Sequence, residues 1–243
     1  SPEALPLPRY WVAAPEVEER LGDAGWKRGW LMGWRGITNA TNERTAIFSP
    51  MPRVGVGHAS PLLMSGERAP LQLALLANMS AYVLDFSARQ KIGGTNLTYN
   101  YLRQFPVLPP SAYAPQNLHF IVPRVLELTY TAWDLAPFAQ DVWEESDEGL
   151  RVLLQGQWKT NGGHPDEPPA WVEGQYPFPP FRWDEERRAR LRAELDAYYA
   201  RLYRLTREEL CYILEPQCVK GPDFPSETFR VLKDKELRAY GEY

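Results

Sequence analysis

Hydrophobic and polar positions along the chain predict short strands in the first quarter and mostly helices afterwards. Between residues 26 and 64, short apolar runs are separated by glycine and proline, as in strands joined by turns. The predicted strands are residues 30–37, 45–48, 53–56 and 61–64. From Pro70 the apolar residues recur at helical spacing as far as Gly93-Gly94, which predicts one long helix.

The second half of the chain contains two further apolar runs and two well-marked helix starts. Residues 118–122 and 150–154 are short apolar runs that we interpret as strands, with a helix after the first from Pro123 to about 136. Asp184 is a suitable N-cap for a helix with a leucine stripe, and Thr206 with Glu209 forms a capping-box pattern.

These elements predict a mixed fold of the α+β type. We expect a small twisted sheet, antiparallel or mixed, with helices packed against it and a helical C-terminal part. By composition we divide the chain into a lead-in segment (1–25), a domain of mixed strands and helices (26–155), a Pro/Gly/Trp-rich loop or linker (156–183) and a helical part (184–243).

Composition and charge narrow the class of protein. The net charge of −4 over 243 residues argues against a general nucleic-acid coat protein but leaves room for a local basic face. Two cysteines fit a reducing cytoplasm. The apolar stretch 71–86 is interrupted by polar residues, so we interpret it as a buried helix and expect no membrane partner. The first residue, Ser1, and the abrupt stop at Tyr243 suggest a piece of a longer protein.

Catalytic and metal-binding patterns are weak throughout the sequence. Phe178-Pro-Pro-Phe181 has the shape of an amino-methyltransferase motif but begins with a residue that cannot hold an amine. The three histidines are scattered, and the two cysteines have no histidine nearby, so no metal-ligand spacing is present. We therefore predict that this chain has no catalytic residue, no metal site and no cofactor of its own.

Two polar stretches are the candidate site for nucleic-acid recognition. Residues 35–45 and 89–101 gather hydroxyls, amides and cations in an acidic protein. Arginine and lysine position phosphates or read guanine, while asparagine and glutamine can pair with adenine. The predicted contact residues are Arg35, Thr38, Asn39, Thr41, Asn42, Arg44, Arg89, Lys91, Gly94, Thr95, Asn96 and Gln104. The residues alone leave a simpler alternative open, because clusters of Asn, Thr and Gly are also typical of ordinary turns.

Several motifs, in order, resemble one family. They are Arg35–Thr45 with Pro52-Arg-Val-Gly-Val-Gly57, then Leu75-Leu-Ala-Asn78 through Gly93-Gly-Thr95 to Leu102-Arg-Gln-Phe-Pro-Val-Leu-Pro-Pro110, Pro123–Tyr130, Asp196–Tyr203 and Phe229–Tyr243. Together they are similar to the C-terminal target-recognition region of large adenine-specific DNA methyltransferases. These include fused type II restriction–modification enzymes and the methyltransferases of BREX and DISARM phage-defence systems.

The resemblance implies a role for the chain and for its parent protein. It implies a sequence-specific, non-catalytic module for double-stranded DNA, with residues 26–155 as its target-recognition domain. The partner of this module is the methyltransferase domain of the parent. That missing domain would bind S-adenosylmethionine and flip the target adenine, and the parent could also carry nuclease activity. The alternative is a protein–protein docking module of a phage-defence complex that uses the aromatic surface.

Overall fold

The computed structural model of the chain describes residues 1–5, 7–164, 167–225 and 228–241. Within these residues the fold is mixed α and β, with eleven α-helices, a two-stranded antiparallel sheet and a helical C-terminal part. The predicted fold class is therefore confirmed. Glu242 and Tyr243, which end the last family-like motif, lie outside the described residues.

The elements follow one another in a simple order. They are α1 (Ala14–Asp23), β1 (Trp30–Trp34), β2 (Phe48–Pro52), α2 (Ala69–Ser80), α3 (Tyr82–Lys91), α4 (Tyr99–Leu102), α5 (Pro115–Thr129), α6 (Ala136–Glu144), α7 (Glu148–Asn161), α8 (Glu185–Leu202), α9 (Arg207–Leu214), α10 (Gln217–Lys220) and α11 (Arg230–Tyr240). Short 3₁₀ turns lie at Pro110–Ala112 and Trp133–Leu135.

The chain forms two compact units, each built from separate stretches. Unit 1 comprises residues 1–34, 48–77 and 108–192, and unit 2 comprises residues 35–47, 78–107 and 193–243. The divisions at 77 and 192 fall inside helices α2 and α8. Each of the sequence segments 26–155 and 184–243 therefore contributes residues to both units.

In unit 1 the sheet is small, and its first strand is the buried one. Strand β1 is buried along its length and pairs with β2 in a register that places Trp30 opposite Pro52 and Trp34 opposite Phe48. Residues 61–63 run along the other side of β1, where a Cβ on Gly33 would lie 2.5 Å from the Pro61 carbonyl oxygen. This close approach requires glycine. The predicted strand 53–56 is wrong, because β2 ends at Pro52.

Helices α5 and α7 supply much of the core of unit 1, and both correct a sequence prediction. Residues 118–122 and 150–154 were predicted as strands but lie in these helices. In α5 the buried apolar residues recur three and four positions apart, and Pro123 lies within the helix rather than at its start. In α7, Asp147 caps the helix by accepting a hydrogen bond from the Leu150 backbone NH at 2.7 Å. Short apolar runs have no period of their own, so helix and strand could not be told apart there.

The Pro/Gly/Trp-rich stretch after α7 packs into the core of unit 1. Phe178 and Phe181 are buried, and Phe178 lies against the rings of Tyr130, Trp143 and Trp158. The Tyr130 hydroxyl donates to the Phe178 carbonyl oxygen at 3.1 Å. Aromatic burial therefore fixes residues 178–181 in place, although the described part of 162–184 contains no helix or strand.

A buried carboxylate links three segments of unit 1. Glu127 on α5 is only 1% exposed, and its oxygens accept hydrogen bonds from Arg187 on α8 and from Gln157 and Asn161 on α7. Asn161 also binds both the backbone NH and the carbonyl oxygen of Arg182. A buried charge is tolerated only when it is paired and hydrogen-bonded, and all of these contacts meet that need.

Unit 2 has its own apolar core between α3, α9 and α11. Ile213, Phe229 and Leu232 are buried together, and Tyr82 meets Phe229 edge-to-face with ring centroids 4.8 Å apart. Thr206 and Glu209 form the predicted capping box at the start of α9. The long helix predicted after Pro70 is two helices, because the chain breaks at Ala81 between α2 and α3.

Among the described residues, no single helix has both the length and the apolar composition needed to cross a membrane. Helices α2 and α3 reach those values only when they are taken together.

We expect the Glu127→Ala variant to lose about 3 kcal/mol of unfolding free energy, because it removes the buried acceptor that Arg187, Gln157 and Asn161 share. Urea denaturation followed by circular dichroism measures the change. Glu144→Ala is the control, since Glu144 is exposed and should change the free energy by no more than about 0.5 kcal/mol. Equal effects of the two variants would contradict a structural role for Glu127.

Candidate nucleic-acid interface

The two polar stretches predicted from the sequence lie side by side in unit 2. The Thr38 backbone NH donates to the Thr95 carbonyl oxygen at 2.9 Å, and the Leu97 NH donates to the Gly36 carbonyl oxygen at 2.7 Å. Ile37 and Asn96 face each other as an antiparallel bridge. Segments more than fifty positions apart are thus joined by backbone hydrogen bonds, and we call 35–45 and 89–101 the paired segments.

The turn that follows Thr38 is held by one buried carboxylate. Asp85 on α3 is fully buried, and its Oδ1 accepts the backbone NH groups of Thr45 and Ala46 at 2.8 and 2.6 Å. The other oxygen, Oδ2, accepts the Nε–H of Arg89 at 2.8 Å, one helical turn further along. Asp85 therefore satisfies two backbone donors and one cation at the same time.

The remaining donors of Arg89 bind carbonyl oxygens of the same turn and of Thr228. Its guanidinium donates to the carbonyl oxygens of Ala40, Asn42 and Glu43 at 2.6 to 2.8 Å, and also to that of Thr228. It lies over the ring of Phe229, with 4.5 Å between Cζ and the ring centroid. Arg89 is 8% exposed, so every group of the guanidinium that could read a base is occupied within the protein.

Arg44 is also a structural residue. Its guanidinium forms a two-pronged ion pair with Asp196 on α8, donates to the Ser80 carbonyl oxygen and stacks on the Tyr82 ring at 3.2 Å. Burial disfavours the Arg44 cation, but the charge and the hydrogen bond of the Asp196 carboxylate lead the interactions that outweigh burial and raise the pKa of Arg44 above its usual value. Asp196 additionally accepts the Tyr82 backbone NH, which fixes the start of α3.

The structure therefore corrects part of the predicted contact set. Thr38 is buried, and its hydroxyl donates to the Thr45 carbonyl oxygen at 2.6 Å. A base contact by Thr38, Arg44 or Arg89 would require breaking these internal bonds, so we withdraw all three. The sequence analysis missed Asp85 and Asp196. The spacing of Asp85 and Arg89, four residues apart on one helix, was a signal for the first.

The other predicted residues remain accessible. Asn42 is half-buried, and the exposed ones are Arg35, Asn39, Thr41, Lys91, Gly94, Thr95, Asn96 and Gln104. Arg103 is exposed beside them in sequence. We call these exposed residues, together with Arg103, the polar face. Whether they contact DNA stays a prediction.

Charge on the polar face is positive. Arg35, Lys91 and Arg103 are exposed, whereas the acid of the first paired segment, Glu43, is bound by Lys235 of α11 at 3.0 Å. Asp85, the nearby buried acid, is neutralised by Arg89. The arrangement can therefore attract an anion while it presents amides and hydroxyls.

Other candidate chemistry in the chain has a structural explanation. No group of three or more potential metal ligands occurs within the described residues. His119 contacts Asp147 at 3.1 Å, but Asp147 is the cap of α7. The pKa of Asp147 is lowered chiefly by the Leu150 backbone NH, with a further contribution from His119. This pair stabilises the start of α7.

We expect Asp85→Asn to lower the unfolding free energy by about 3 kcal/mol, because the amide leaves Arg89 without its buried counter-charge. Hydrogen exchange should accelerate at Thr45 and Ala46, because the new amide cannot turn its oxygen to their NH groups without placing its own NH2 against the Arg89 donor. Asp234→Asn is the matched control, since Asp234 is exposed on α11 of the same unit. Unchanged exchange at Thr45 and Ala46 would contradict this role of Asp85.

Arg44 and Asp196 should be energetically coupled. In a double-mutant cycle of Arg44→Ala and Asp196→Ala, we expect a coupling free energy of about 2 kcal/mol. Each single variant removes the opposite charge from an ion that is largely buried. Denaturant unfolding of the four proteins gives the value. The unfolding free energy of Arg35→Ala should lie within about 0.5 kcal/mol of that of the unmodified chain, because the Arg35 side chain is exposed. A coupling near zero would show that the ion pair does not stabilise unit 2.

Comparison with known proteins gives no relative to set beside this geometry: no family model, no curated protein and no solved structure matches the chain.

Proposed function

We propose that unit 2 binds double-stranded DNA through the polar face and reads its sequence. The observation that carries this proposal is the pairing of residues 36–38 with 95–97, which brings two polar stretches from distant parts of the chain together. Side chains that reach base edges need a rigid support, and the buried pair of Asp85 and Arg89 provides it.

The distribution of charge supports the same conclusion. The whole chain has a net charge of −4, yet the exposed ions of the paired segments and the adjoining Arg103 are cations. Phosphate contacts by such cations supply most of the affinity, while neighbouring amides and hydroxyls supply sequence preference. Arg35, Lys91 and Arg103 are the phosphate-binding candidates, and Asn39, Asn96 and Gln104 are the candidates for base contacts.

The resemblance of the sequence motifs extends this proposal to the parent protein. On that basis the chain is the target-recognition module of a larger cytoplasmic, adenine-specific DNA methyltransferase or restriction–modification enzyme. The module itself is non-catalytic. The methyltransferase domain of the parent would bind S-adenosylmethionine and act on an adenine that it flips from the duplex.

The second candidate function is protein–protein docking within a phage-defence complex, and a feature of unit 1 favours it. Tyr10 and Trp11 are each 79% exposed and line a groove with Val12, Val54 and Leu62. Large exposed aromatic side chains are typical of protein interfaces. Salt separates the two functions, because added salt weakens DNA binding steeply but leaves apolar docking intact.

Fluorescence anisotropy with a labelled duplex tests the DNA-binding proposal. We expect the logarithm of the association constant to fall linearly with the logarithm of the salt concentration. In a triple variant with Arg35, Lys91 and Arg103 changed to Ala, the slope should fall by about 2 to 3, because each phosphate contact contributes about 0.9. Affinity at low salt should fall by at least about tenfold.

The matched control changes Lys27, Lys159 and Arg190 to Ala, which removes the same charge from exposed positions of unit 1. The salt dependence of DNA binding by this control should have the same slope as that of the unmodified chain. Equal losses in both triple variants would mean that binding follows net charge and not the polar face. If the unmodified chain shows no salt-dependent DNA binding, the proposal is overturned and docking is favoured.

A further inference from the structure

The exposed amide of Asn39 is held in one orientation by its neighbour two residues on. Its Oδ1 accepts the Thr41 backbone NH at 2.8 Å and the Thr41 hydroxyl at 2.9 Å. A backbone NH can only donate, so the amide atom facing Thr41 is the oxygen and not the nitrogen. Both lone pairs of Oδ1 are therefore used within the turn, and the group left for a ligand is the NH2 of the side-chain amide.

The backbone of Asn39 is fixed as well as its side chain. The Asn39 carbonyl oxygen accepts the Thr45 hydroxyl at 3.1 Å and the Asn42 NH at 3.2 Å. In the same turn, Asp85 accepts the Ala46 backbone NH and Arg89 donates to the Ala40 carbonyl oxygen. Rotation of the Asn39 amide would cost both of its hydrogen bonds to Thr41.

We propose, on the basis of the DNA-binding function above, that Asn39 acts as a donor-only contact that selects guanine in the major groove. An asparagine reads adenine by using Oδ1 and Nδ2 together. Here Oδ1 is occupied, so that bidentate pair cannot form. Guanine presents two acceptors, N7 and O6, which match the two hydrogens on Nδ2.

Asn39→Asp tests this inference by reversing the exposed group. An aspartate keeps one oxygen for the Thr41 NH but offers an acceptor where Asn39 offers a donor. Carboxylates accept from the cytosine N4 amine. We expect guanine preference at one position of the site to be replaced by cytosine preference, with each preference about three- to tenfold, as for one hydrogen bond.

Thr41→Val is the second variant, and it keeps the charge of the chain unchanged. It removes the hydroxyl donated to Oδ1 and frees one lone pair, so an adenine contact becomes possible. The guanine-to-adenine ratio at the same position should then fall by about threefold or more. Thr98→Asp controls for added negative charge: Thr98 is an exposed N-cap residue of α4, and its replacement should weaken overall affinity without changing any base preference.

The experiment selects bound duplexes from a randomised library with the 243-residue chain and the three variants, and sequences them. A wild-type guanine preference that changes in Asn39→Asp and weakens in Thr41→Val supports the inference. Sequence-selective binding that is the same in the wild type and in both of those variants overturns it alone, as does an adenine preference lost only in Asn39→Asp. No enrichment by the wild type overturns the DNA-binding function and this inference together.

Discussion

The ion pair between Asp85 and Arg89 is the interaction on which the polar face depends. Asp85 binds the backbone at Thr45 and Ala46, and Arg89 binds it at Ala40, Asn42 and Glu43. Both side chains stand on one face of α3, a single turn apart, and Phe229 covers the guanidinium. This polar turn is thus held by charge-assisted hydrogen bonds from α3.

Burial of charge is a general feature of both units. Glu127 in unit 1 and Asp85 in unit 2 are almost completely buried, and each is bound by an arginine and by further donors. Such groups add little net stability compared with apolar residues, but removing one partner is costly because the other remains buried. They therefore fix which segments meet: α5 with α7 and α8 in unit 1, and α3 with the 39–46 turn in unit 2.

Arginines in this chain have two distinct uses, and their burial separates them. Arg44 and Arg89 are enclosed by carboxylates, carbonyl oxygens and aromatic rings, whereas Arg35 and Arg103 are exposed. The first two determine the shape of the polar face, and the other two contribute to its charge. Asn39 shows the same distinction at the level of single atoms, because its oxygen maintains the turn and its nitrogen remains available.

The mixed fold class, the cap of α8 at Asp184, the capping box of Thr206 and Glu209, and the two polar stretches could all be predicted from the amino-acid sequence. Those signals are local, since caps and turn residues act within a few positions. The helical state of residues 118–122 and 150–154 became known from the three-dimensional structure, because their apolar runs fit either period. That structure also showed that the polar stretches pair with each other and that Arg44 and Arg89 face inward. Partners such as Asp196 are more than a hundred residues away, and no local pattern carries that information.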